Sequence, residues 1–321
     1  MGVVARLHLT LSVVAGASLL AAAPASAASP GPEPGKAPAS STIGDVTVEA
    51  SQRRAPLADP TAQFVREHLP EGPSNQLARF RDGVCVKVIG LEPNSGQFIA
   101  QRIAEVARQV KAPVADGDCK PNIHIIFSPQ PQAQLDDIAK RRDLLTGFHF
   151  PSQFKRLTAV DRPVQAWYVT RTRDTVGNSW IDGAASCPSN FLVDDGACGD
   201  RPSGRPGSRL GADLSSEIVH SLILADTRKL ADERIEVIAD YVAVLALARW
   251  QGLEKCNTIP TILNRLAEDC ADRPETTTRQ DFALLHALYS VQVRALGSQQ
   301  RATIASAVRR ATDDSHPSPA G

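Results

Sequence analysis

The residue in this chain with the clearest capacity for chemistry sits where chemistry is least expected. In "RIEVIADYVAVLALARW", Arg234 to Trp250, every residue from Val237 to Ala248 is apolar or aromatic except Asp240. A carboxylate in a run that must be buried needs a cation, hydrogen-bond donors or its own proton, because an unpaired buried charge costs several kcal/mol. Two fates follow. Asp240 is an acid or base of an active site, with Tyr241 beside it and His220 from the preceding apolar segment. Alternatively it is a structural group, paired with an arginine or accepting backbone amides from a long loop, which is the commoner fate of such carboxylates.

Other routes to catalysis find little support. "GNSWIDG" and "GSRLG" miss the spacing of a G-x-S-x-G nucleophile turn, and no G-x-x-x-x-G-K-[ST] or G-x-G-x-x-G loop is present. No cofactor is therefore expected. His124, between Ile123 and Ile125, reads as a solvated or hydrogen-bonded residue on the polar face of a strand, and His149 and His286 read as packing residues.

The elements that would position these groups can be read from periodicity. "VCVKVIGL", Val84 to Leu91, is short and β-branched and predicts a strand. The next segment repeats Phe98, Ile99, Ile103, Val106, Ala107 and Val110 at helical spacing, with Ser95 as N-cap and Pro113 as stop. "NIHIIFS" is a second strand, so the three pieces form a βαβ unit with parallel strands. "PQAQLDDIAKRRDLL" reads as a polar helix. "VQAWYVTRTRD" is a third strand with Trp167 and Tyr168 on opposite faces. "EIVHSLILADTRK" is a fourth, expected at or near a sheet edge because His220 and Ser221 interrupt its apolar run. Between those two strands, Thr175 to Gly211 is long, aperiodic and rich in Gly, Ser and Pro, which marks a functional or disordered loop. The apolar helix follows, with Asp232 as its cap, and two more helices lie around "RQDFALLHALYSV" and "QQRATIASAVRRA".

The ends and the composition bound the setting. Residues 1–27 have a positive start, an apolar core and an Ala-Ser-Ala cleavage site, which reads as a signal peptide. Residues 28–60 are a Pro- and Ala-rich linker and a short extended arm. Residues 61–312 are expected to form a single globular domain and 313–321 a disordered tail. Within the arm, "IGDVTVEASQRR" alternates like a strand able to add to a sheet. Basic and acidic residues balance at 35 each, which argues against nucleic acid as a partner. The expected location is exported, periplasmic or secreted, with no membrane insertion after signal cleavage. Six cysteines in an oxidising compartment read as disulfides, and six permit 15 pairings. The sequential set is preferred: Cys85 with Cys119, Cys187 with Cys198, Cys256 with Cys270. The first pair lies at neighbouring ends of two parallel strands, and each of the others closes a short local loop.

Taken together, "ADYVAVLALARW", "PTILNRL" and "DFALLHALYS" resemble a group of exported bacterial proteins with zincin-like domains. The resemblance implies an α/β (α+β) fold: a mixed sheet of about four strands with a crossover helix, a buried helix after an edge strand, and a helical C-terminal part. In a zincin the buried helix carries H-E-x-x-H, two imidazoles one turn apart on a metal and a glutamate that activates water. Those three places fall near Ala239, Asp240 and Ala243 here, so the resemblance implies a scaffold without its metal site. The expected function is a non-catalytic binding module of the envelope or periplasm, with a protein or peptide of that compartment as partner. The alternative is a hydrolase of envelope peptides or glycans using Asp240, Tyr241 and His220.

Overall fold

In a computed structural model of the chain, the described residues are 59–140, 158–183, 201–204 and 212–314. All belong to one compact unit, Arg53–Gly321. Its strands are β1 (Arg79–Phe80), β2 (Val86–Ile89), β3 (Ile123–Ser128), β4 (Val164–Asp174), β5 (Ser179–Ile181) and β6 (Leu214–Asp226). Its helices are α1 (Pro60–His68), α2 (Pro93–Gln109), α3 (Pro131–Ala139), α4 (Ile235–Leu247), α5 (Arg279–Ser290) and α6 (Gly297–Asp313), with a 3-10 turn at Ile262–Leu266.

The fold is mixed α+β. The sheet runs β2-β3-β6-β4-β5, and β1 also pairs with β6. Strands β2, β3 and β6 are parallel; β4 runs antiparallel to β6 and forms a hairpin with β5. The expected βαβ unit is present as β2-α2-β3. Gly90, which ends β2 at φ +89°, must lack a side chain, because a Cβ there would run into the Phe127 carbonyl.

One expectation is overturned. The strand expected at the sheet edge is its centre: β6 pairs with β4 along one side, and with β1 and then β3 along the other. Its polar residues do not face solvent. His220 meets His124 and Ser221 meets the Ala246 carbonyl, so the broken apolar run signalled buried polar contacts rather than an edge. Two helix starts also differ. Pro93 opens α2 behind Glu92, so Ser95 lies inside the first turn, and α4 starts behind Arg234 rather than Asp232. The hairpin strand β5 arises within the stretch expected to be aperiodic, because Asp174 accepts from the amides of Val176 and Asn178 and closes the turn.

Helix α4 is the axis of the core. All residues from Val237 to Leu247 are buried, so beyond its first turn the helix has no wet side and no amphipathic stripe to show. It packs on α2 and on the face of the sheet that presents Tyr168 and Ile223. A smaller cluster of Leu135, Trp167, Leu222 and Leu224 fills the other face, which puts Trp167 and Tyr168 on opposite sides as expected.

Two disulfides lie within the described residues, Cys85–Cys119 and Cys256–Cys270, both as the sequence suggested. Cys187 and Cys198 lie outside the described residues. The loop closed by Cys85–Cys119 spans a separation of 34 residues, so Cys85→Ala with Cys119→Ala is expected to cost about 3–4 kcal/mol in a urea titration of the oxidised protein. A loss below about 1 kcal/mol would contradict it.

Candidate functional site

A helix buried on all sides must have its polar atoms met by other parts of the chain. The last four carbonyls of α4 have no intrahelical donor, and four side chains supply one each. Trp250 Nε1 donates to Val244 O (3.0 Å), Tyr168 Oη to Leu245 O (2.7 Å), and Tyr289 Oη to Leu247 O (2.7 Å). Ser221 Oγ makes a longer contact of 3.4 Å with Ala246 O. Burial raises the tyrosine hydroxyls well above their ordinary pKa, which keeps both as neutral donors.

Asp240 is met in the same way. Arg102 Nε, from α2, donates to Oδ1 at 2.5 Å, and the Thr277 amide donates to Oδ2 at 2.7 Å. Both oxygens are engaged, and the carboxylate is 4% exposed. The opposite charge favours the ionised Arg102, whose guanidinium also reaches Glu105. Of the two fates open to Asp240, the contacts are those of an internal tie joining α2, α4 and the Thr277 segment. Its amide donor comes from Thr277, not from the long loop.

The structure does not bring the three sequence candidates together. Tyr241, one residue on and so about 100° around the helix, faces a small apolar recess with Val164, Leu230, Val237 and Leu266. Burial pushes its hydroxyl up to about 12. His220 lies across the sheet. Ser221 contacts α4 on one face, and strand alternation turns Leu222 and His220 to the other. There His124 is in register with Leu222, and its Nδ1 lies 2.8 Å from His220 Nε2. His124 is thus hydrogen-bonded on its face, as the sequence suggested. His220 is fully buried, and its Nδ1 has no hydrogen-bond partner among the described residues.

A second polar group, invisible in the sequence, occupies the start of β6. Glu217 is buried between Arg171 (2.6 Å) and Arg173 (3.1 Å), and Arg171 also reaches Asp82 (2.9 Å). Arg171 and Glu217 are cross-strand partners in the β4–β6 ladder, so each neutralises the other where it is desolvated. Arg79 is also buried, but its guanidinium bonds to a carbonyl, Val291 O, at 2.9 Å. Burial, and then the charge of Arg81, pull Arg79 down to about 10. An open cleft of about 160 Å³ adjoins this group, lined by Arg81, Arg173, Asp174, Asp213, Glu217 and Arg294 among others.

The zinc of the resembled family does not fit the residues present. Ala239 and Ala243 have no donor atoms, and both oxygens of Asp240 are committed. Among the described residues, no three His, Cys, Asp or Glu side chains converge on a point. Compared with family models, with curated proteins and with solved structures, the chain has no match.

The histidine pair has a pH signature. Burial, then the charge on His124, pushes His220 down to about 3, and burial and Lys87 lower His124 as well. Histidines in the unfolded chain take up protons near pH 6.5. Between there and about pH 3 the unfolded chain therefore binds more protons at His220 than the folded one, so the stability this site contributes is full above 6.5 and declines as pH falls. Urea midpoints at pH 7, 5.5 and 4.5 are expected to fall more steeply for the wild type than for His220→Phe. Parallel slopes would contradict a neutral, buried His220.

Proposed function

We propose that the chain is an exported, non-catalytic binding module built on a degenerate zincin-like scaffold, acting on a peptide or protein of the envelope. The observation that carries this reading is the double engagement of Asp240. A general acid or base must keep an oxygen free for its substrate, and here Arg102 holds one and the Thr277 amide the other. Two disulfides are compatible with an oxidising compartment. No helix among the described residues is long and apolar enough to cross a membrane.

In this reading the helix that would carry catalytic groups in a metallopeptidase has become a structural axis. Its polar atoms are consumed in holding α2, the sheet and the C-terminal helices together. Binding then falls to the polar region around the start of β6, where charged side chains are exposed beside a cleft.

The test joins activity, metal content and stability. Purified protein is expected to contain no stoichiometric zinc and to show no turnover of a peptide and glycan panel. Asp240→Asn is expected to cost about 2 kcal/mol, because the Arg102 guanidinium loses its buried counterion and keeps only the exposed Glu105. Turnover by the wild type that disappears in a folded Asp240→Asn variant, or one zinc per chain, would overturn the proposal.

A further inference from the structure

The segment between α5 and α6 has no regular structure, yet each of four successive polar anchors fixes it. Arg79 Nη2 donates to Val291 O (2.9 Å), and Gln76 Nε2 donates to Val293 O (2.7 Å) and Ala295 O (3.0 Å). The Ala212 amide donates to Arg294 O at 2.9 Å. Gln76 and Arg79 are 2% and 4% exposed, so two buried polar side chains are committed to carbonyls of one surface loop. Burying such groups is costly, and the result is a rigid mount for Arg294.

Other residues that line the cleft are fixed as well. Glu217 holds Arg173 by two contacts, of 3.1 and 3.3 Å, and is itself held by Arg171. Asp174 accepts from the amides of Val176, Asn178 and Ser203 and from the Asn178 side chain. These two buried carboxylates of the cleft lining are therefore satisfied. Three charged lining residues are exposed and make no ion pair among the described residues: Arg81, Arg294 and Asp213.

From this pattern we infer that the cleft binds the zwitterionic head of a free amino acid, its carboxylate at Arg81 and Arg294 and its ammonium at Asp213. The inference goes beyond the binding-module reading, naming a free amino acid in place of a peptide or protein at this cleft, and it rests on the non-catalytic part of that reading. A guanidinium matches a carboxylate in geometry as well as charge, and two exposed ones line the cleft. Inorganic phosphate fits worse, because it has no ammonium to meet Asp213 and would face that carboxylate with like charge. The volume, about 160 Å³, is below the 300–1,000 Å³ usual for larger organic ligands. It suits one amino-acid residue.

The test uses the full exported chain. The twenty L-amino acids at 10 mM are screened by thermal shift, and the best is titrated by calorimetry beside its amide, its N-acetyl derivative and inorganic phosphate. At least one amino acid is expected to bind, with both blocked forms at least tenfold weaker. Arg294→Gln is expected to weaken binding at least fivefold while moving the melting temperature by no more than about 1 °C, since the side chain is exposed. Asp213→Asn should weaken the free amino acid but not its N-acetyl form. Absence of binding by all twenty, tighter binding of phosphate, or unchanged affinity in both Arg294→Gln and Arg81→Gln would overturn the inference. Those results leave the non-catalytic reading standing, because that reading falls only to turnover or zinc.

Discussion

A helix with no side in water must have every polar atom met from within, and α4 imposes that constraint on the rest of the molecule. Its last four carbonyls draw a tyrosine from β4, a serine from β6, a tryptophan from the chain just beyond it and a tyrosine from α5. Its one carboxylate draws an arginine from α2 and an amide from the segment leading into α5. Hydrophobic burial supplies the driving force for packing around α4, but it does not choose orientation. The directional contacts do, since each is satisfied only when its donor element is in one place.

The same logic extends to other buried carboxylates by different means. Asp281 is fully enclosed and has no arginine. Thr261 Oγ1 donates to one oxygen, and the Ile262 and Thr278 amides donate to the other. Burial raises its pKa while those donors pull it back. Glu217 takes two arginines instead. Asp240, with one cation and one amide, stands between these two solutions. Donor chemistry, not proximity to a cleft, decides which buried acids are structural.

Much of the fold was legible in the sequence because it is locally encoded. The β-branched run of β2, the helical spacing of Ile99, Ile103 and Val106 in α2, and the second run at β3 specify a parallel pair without outside information. The Cys85–Cys119 bridge follows from that pair. The centre of the sheet was not legible, because β6 is read as an edge by its His220 and Ser221, and their partners, His124 and Ala246, are remote in sequence. The same holds at Asp240. Sequence showed that the carboxylate needed an arginine or amides, but not that Arg102, 138 residues earlier, is the one. Arg171 with Glu217, and the mount of Arg294, leave no local pattern at all, because each is made by cross-strand or loop contacts.

Asp240 serves the fold by pairing with Arg102. A double-mutant cycle in urea, with Arg102→Ala, Asp240→Ala and both together, measures that pairing directly. A structural tie of this burial predicts a coupling energy of about 2–3 kcal/mol, with the double variant losing clearly less than the sum of the singles. A coupling below about 0.5 kcal/mol would mean that the two side chains act independently, and Asp240 would need another reason to lie in the most apolar helix of the chain.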